Sequence, residues 1–249
     1  MAKIEQLWTW PVKGLNGVSL ERAELSAGGC MPDDRAFGIA RGSAMAADRD
    51  LADFGWKDFV QLKNTPKLAT LVAEYEPDGQ VLTLKRQGRQ VARGALSQPI
   101  GRTLIDQFLA AYLKDELNTP PKVVGGDGQT FSDARAPELS IINLETLRDI
   151  ERVARTTVDP RRMRGNVYID GLPAWAEFDL IGQTVKAGGT TLEITMRIDR
   201  CAATHVNPDS AESDLQLTRV LKGGFGHLDC GVFAVVRQGG AIAVGDSFG

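Results

Sequence analysis

One cysteine in this chain stands where a reactive group would stand. Cys201 lies in RCAATHVNPDS, directly after an arginine and just beyond an alternating apolar run. A neighbouring cation lowers a thiol's pKa and favours the thiolate, the form that attacks or binds metal. A soft thiolate suits soft or covalent metal centres rather than magnesium or calcium. A single cysteine at a strand end is also an ordinary packing residue, and spacing alone leaves both readings open. Cys201 and His205 are four positions apart, His227 and Cys230 three apart, and Cys30 stands alone. None of these spacings is the Cys-x2-Cys or His-x3-His pair of a zinc site.

Anion-binding types form a second group. DPRRMRGNVYIDG places Arg161, Arg162 and Arg164 before a strand-like run and includes Asn166. Guanidinium forks bind phosphate oxygens in pairs, although a solvated basic loop has the same composition. Lys13, between Pro11 and Gly14, and Arg35, after Asp33-Asp34, would each alone be a surface charge. Asn143 stands where an N-cap would stand, and a helix N-terminus offers free N–H groups to an anion. KGGFGHLDCG lacks the Gly-Lys-Ser/Thr ending of a phosphate loop and opens onto a strand pattern, so it is not one. His205 and His227 have no acid–base partner fixed by spacing.

Elements of mostly two-residue period must position these groups. Ile4–Trp10 reads as a strand broken by Pro11 and Gly14. LVAEYEPDGQVLTL reads as a hairpin around Pro77-Asp78-Gly79, LEITMRI alternates, and GVFAVVRQGGAIAVGD reads as a hairpin turning at Gly239-Gly240. Helical spacing appears in GRTLIDQFLAAYL, through Leu104, Ile105, Phe108, Leu109 and Tyr112, and in NLETLRDIERVA. Asn118–Glu138, rich in Pro, Gly and Asp, reads as a boundary or a surface excursion.

Composition limits the partners. The 249 residues carry 29 Lys and Arg against 32 Asp and Glu, a net charge of -3 that argues against a general nucleic-acid binder. No apolar run reaches the length of a membrane span, and the opening has no signal-peptide pattern. Three cysteines are too few for a disulfide scaffold, so a reducing cytoplasm is expected.

Five motifs in order then resemble one family: WPVKGL, AGGCMPDDRAFGIA, RRMRGNVYIDG, RCAATHVNPDS, and the closing GVFAVV…GGAIAVGD. Together they are similar to a MOSC domain preceded by its N-terminal β-barrel domain, as in the amidoxime-reducing proteins and the C-terminal part of molybdenum-cofactor sulfurases. The resemblance implies a mainly β fold with a few helices. It implies a barrel-like N-terminal domain over 1–95, a helical connector over 96–124 and a MOSC barrel over 125–249. It implies molybdenum cofactor, with Cys201 as metal ligand and catalytic centre, and with Lys13, Arg35, Asn143, Arg164, Asn166 and Arg200 holding the cofactor. Lys13 and Arg35 are expected to reach the Cys201 site from the first domain. Asn143 departs from the family, where a Ser or Thr stands, and the second cysteine that many of the reductases carry before the ligand is missing. The implied activity is reduction of N-hydroxylated or N-oxide-type small molecules with electrons from a separate ferredoxin-like or cytochrome-type donor. The alternative is a carrier that delivers cofactor, or sulfur received from a sulfur donor as a Cys201 persulfide. Nothing resembles a pyridoxal phosphate fold, and neither a membrane nor a nucleic acid is expected as partner.

Overall fold

The computed structural model describes residues 1–249 except Asp48, Arg49, Asp127 and Arg135. The fold is mainly β, built around one ring of strands. Going round the ring, Val167–Asp170 is followed by Leu139–Asn143, Asp229–Gln238, Thr190–Asp199, Thr184–Ala187, Ser247–Phe248 and Ala2–Thr9, and the last pairs back to the first. Alternate residues fill the interior, among them Ile4, Leu7, Ile141, Ile169, Leu192, Ile194 and Val232. This is the strand period expressed as a closed barrel without free edges.

The second core belongs to an antiparallel sheet of Val72–Glu76, Val81–Arg86 and Arg89–Ala95, with the Pro99–Tyr112 helix packed on it. Phe37, Ile39, Leu82, Leu84, Ile105 and Leu109 are its buried centre. The hairpin expected at Pro77-Asp78-Gly79 is present, with Gly79 at φ 82° where the turn needs a left-handed residue. On the helix, Leu104 is half exposed while Ile105 and Leu109 are fully buried, so the apolar stripe is narrower than its spacing suggests.

Hydrogen bonding crosses the expected 1–95, 96–124 and 125–249 division at several places. Ala2–Thr9 is a barrel strand paired with Val167–Asp170, and Arg22–Leu25 pairs with Gly240–Ala243. In return, Lys122–Gly125 pairs with Phe37–Ala40 of the first unit. One correction follows. Gly239-Gly240 does not close a hairpin, because Gly240–Ala243 leaves Asp229–Gln238 and joins Arg22–Leu25. The segment Asn118–Glu138, read as a boundary or a surface excursion, contributes the strand Lys122–Gly125 and the buried Phe131. Among the described residues, no helix is long and apolar enough to cross a membrane.

Candidate cofactor site

The turn that carries Cys201 is fixed from behind. The Thr190–Asp199 strand ends with Asp199 opposite Asp229, and the Arg200 N–H donates to the Leu228 carbonyl at 2.9 Å. A short 3-10 turn, Ala202–His205, follows. The Cys201 carbonyl accepts from the Thr204 N–H at 3.1 Å and its hydroxyl at 2.9 Å, so the backbone closes the turn and leaves the thiol outside. Arg200 is buried. Its Nε donates to the Cys230 carbonyl at 2.8 Å, Nη2 donates to the same oxygen, and Nη1 donates to the Met163 carbonyl at 2.9 Å. Arg200 therefore positions Cys201 and the arginine turn; its guanidinium is bonded to protein rather than presented to a ligand.

The three cysteines differ physically. Cys201 is exposed, Cys30 half-buried and Cys230 buried. Burial pushes the Cys230 thiol up to about 12, and burial together with Asp34 raises that of Cys30. Alkylation at neutral pH is expected to label Cys201 first, Cys30 more slowly and Cys230 only after unfolding. Peptide mass mapping over time reads this order, and early labelling of Cys230 would contradict it.

The arginine run divides into three roles. Asp159 caps a Pro160–Met163 turn by accepting from the Arg161 N–H at 2.8 Å, and Arg164 follows at φ 51°. Arg161 pairs with Asp159 and Asp209 at the surface. Arg162 is buried, donating to the His205 carbonyl at 2.8 Å and to Asp214 at 2.6 Å. The left-handed step aims Arg164 the other way. Its Nη1 donates to the Leu15 carbonyl at 2.7 Å, and the guanidinium lies 4.4 Å from the Trp10 ring centre. Nη2 is buried with no partner. Burial, reinforced by Arg35, lowers the Arg164 pKa to about 9.

Asp34 joins the motif segments. It is buried, and its carboxylate accepts from the Trp10 N–H at 3.0 Å, from Asn166 Nδ2 at 2.9 Å and from Arg35 Nη1. Arg35 Nη2 in turn donates to the Arg164 carbonyl at 2.9 Å. Asn166 Oδ1 accepts from the Ser140 N–H and hydroxyl at 3.0 and 2.8 Å, so this side chain organises the site from within. Lys13 Nζ donates to the Phe131 carbonyl at 2.8 Å and to Asp133 at 2.6 Å. Burial lowers its pKa, with the like charges of Arg35 and Arg164 adding and Asp133 opposing. Lys13, Arg35 and Arg164 thus form one cationic neighbourhood.

Asn143 is held elsewhere. It caps the Leu144–Ala154 helix through the Glu145 N–H at 3.1 Å, and its Nδ2 donates to the Pro173 carbonyl and to Glu177, both at 2.9 Å. It pairs with Ile169, three residues along the strand from Asn166, roughly 10 Å at strand rise. In this structure Asn143 holds the buried Glu177 and is not joined to the cations. Burial raises the Glu177 pKa despite hydrogen bonds from Asn143 and Thr146. An acid raised in the folded state contributes fully below its unfolded pKa, about 4.3, and that contribution is lost as pH rises through the folded value. Glu177→Gln is expected to remove this contribution in that window; by urea midpoints from acid to neutral pH, the stability of the wild type relative to the variant should fall as pH rises. The histidines lie apart from one another. His205 is kept neutral by burial and Arg162 and bonds Thr218 at 2.8 Å, whereas His227 packs against Trp175 and Phe178.

Two recesses adjoin these groups. A cleft of about 180 Å³ is lined by Trp8, Trp10, Arg161, Arg164, Ala203 and Pro208 among others. A recess of about 260 Å³ holds Lys13 with Phe54, Phe59 and Phe131. Glu177 had no signal in the sequence, because it sits at no motif spacing; Asp34 lies inside AGGCMPDDRAFGIA, but the burial that makes it a hub leaves no local signal.

A closed ring of strands carries an exposed thiol at a strand end, with a separate neighbourhood of Lys13, Arg35 and Arg164. Residues 124–248 match the MOSC domain, and residues 1–114 match the MOSC N-terminal beta barrel domain. The chain belongs to the MOSC domain family, whose members bind molybdenum cofactor or act in sulfur transfer. Its fold is similar to that of the YUAD protein from Bacillus subtilis, at 14% identity and a TM-score of 0.50, covering 99% of this chain and 93% of that one. YiiM from Geobacillus stearothermophilus is similar over 44% of this chain and 52% of its own, at 17% identity and a TM-score of 0.34. No curated protein matches the sequence.

Proposed function

We propose that this chain holds molybdenum cofactor between the barrel and the N-terminal unit and reduces N-hydroxylated or N-oxide-type compounds with electrons from a separate donor protein. The observation that carries the reading is an exposed Cys201 together with a buried Arg164 whose Nη2 has no partner among the described residues. An orphaned guanidinium N–H calls for an acceptor, and a phosphate or pterin oxygen is one. The donor set fits the group: Cys201 as the soft ligand, with Lys13, Arg35 and Arg164 for the anion. Asn166 and Arg200 support these residues through their hydrogen bonds to Asp34 and the Met163 carbonyl. When bound, the group supplies a two-electron redox centre that can take oxygen from a substrate. The N–O bond breaks, two electrons from the donor and two protons are consumed, and the oxygen leaves as water.

No carboxylate or imidazole is among the described residues lining the tryptophan cleft, so the protons come from solvent. That same observation favours a second reading, a carrier that delivers cofactor without turnover. A reducing compartment such as the cytoplasm suits both, because it keeps the Cys201 thiol free.

Cofactor-loaded protein with a chemical reductant and an amidoxime separates the two. Steady release of the amidine supports the reductase. No turnover, with transfer of cofactor to an apo-enzyme, replaces it by the carrier.

A further inference from the structure

The tryptophan-lined cleft has a character that its cations do not explain. Its volume of about 180 Å³ is enough for one six-membered ring, since an apolar cavity of about 150 Å³ takes up benzene. Its walls come from both units and are largely apolar: Trp8, Trp10 and Leu15 from the first segment, Leu62 from beyond, and Val206 and Pro208 from the chain that follows Cys201. Trp8 and Trp10 lie two apart on one strand face. Their rings stack at 5.8 Å and 22°, so each backs the other as a flat wall. Trp8 Nε1 is satisfied by Gln6 and Trp10 Nε1 by the Gly165 carbonyl, each at 2.9 Å, so neither indole needs a polar ligand.

Once the cofactor occupies Arg164, the charges around this cleft are matched. Arg161 is paired with Asp159 and Asp209, Arg162 with Asp214, and Arg164 is given to the cofactor above. A charged ligand would lose hydration there without gaining a free counter-charge. A neutral ring would gain burial against the indole wall. Ala203, two residues past Cys201, also lines the cleft and brings its contents close to the thiol turn.

We propose that this cleft binds a neutral, flat aromatic group, separately from the cofactor. Naming that group as the ring of the reduced substrate rests on the reductase reading; the binding itself does not.

Benzamide, benzoate and benzamidinium share one ring and differ in charge, which makes them the probes. Calorimetry is run on cofactor-free and on cofactor-loaded protein. In cofactor-loaded protein, benzamide is expected to bind at least about tenfold more tightly than either charged analogue; in cofactor-free protein, where Arg164 lacks its acceptor, the same margin is expected over benzamidinium. Leu62→Trp fills the cleft and is expected to weaken benzamide at least about tenfold. Trp8→Ala, which removes the wall, should act in the same direction and stands in if the first variant does not fold. Equal or tighter binding of benzamidinium in either form, or of benzoate in the loaded form, would overturn the proposal. So would loss of benzamide binding when cofactor is loaded, or affinity unchanged in a folded Leu62→Trp. A protein that never takes up molybdenum would remove the reductase reading alone, because the cofactor-free form still answers the binding question.

Discussion

Cys201→Ala is expected to remove reductase turnover by more than about a hundredfold while leaving the melting temperature within about 2 °C of wild type. The two halves of this result come from one geometry. The thiol is exposed, and the turn around it is closed by the Cys201 carbonyl, which accepts from Thr204 and survives the substitution. An exposed side-chain truncation away from a packing contact changes stability by about 0.5 kcal/mol or less, and for a chain of this size that is about 1–2 °C. The chemistry has no such substitute. Losing an outer-shell partner already costs a metal site about 10–100-fold, and here the direct ligand goes. Enzyme assay beside calorimetric melting reads both quantities. Turnover retained at wild-type level would place the redox centre away from Cys201, whereas a large drop in melting temperature would return Cys201 to a packing role.

The second large effect is expected at Arg200, for the opposite reason. Arg200→Ala should lower stability by about 3–5 kcal/mol, or about 6–20 °C in melting temperature. Its guanidinium serves the carbonyls of Cys230 and Met163, and both are left without those donors when it is removed. The side chain is buried, so a void is left as well. Arg200→Lys keeps the charge but not the fork, and one ammonium does not reproduce two divergent hydrogen bonds. It should recover only part of the stability. Cofactor retention is expected to fall in both variants, since Met163 precedes Arg164 and Cys201 follows Arg200. A melting temperature unchanged in Arg200→Ala would show that the two carbonyls find other donors and that Arg200 does not position the turn.

Local signals carried much of this fold. The alternation through Leu192, Ile194 and Ile198 became a barrel strand with those residues buried, and Asn143 caps the helix it precedes. What local signals do not carry is pairing between distant segments. Gly239-Gly240 looks like a hairpin turn because the apolar pattern repeats on both sides. The partner of the second run is Arg22–Leu25, more than two hundred residues earlier in the chain. The same limit applies to the site. Arg161, Arg162 and Arg164 are equivalent as a composition, yet a 3-10 turn followed by one left-handed residue sends them to the surface, the interior and Trp10. Asp34 looked like half of an acidic pair in front of Arg35. Its hydrogen-bond donors Trp10, Arg35 and Asn166 come from segments up to 132 positions away from it in the chain. Burial of a carboxylate is a property of the folded core and leaves no local mark.

The central claim is that Cys201 ligates molybdenum in a cofactor anchored by Lys13, Arg35 and Arg164. The most direct measurement is molybdenum and pterin content per chain, for wild type and Cys201→Ser purified side by side from a host that makes the cofactor. The account predicts stoichiometric metal and pterin in the wild type and loss of metal in the variant, because a serine hydroxyl stays protonated and is a hard, weak ligand. Equal molybdenum in both proteins, or none in either, would contradict it.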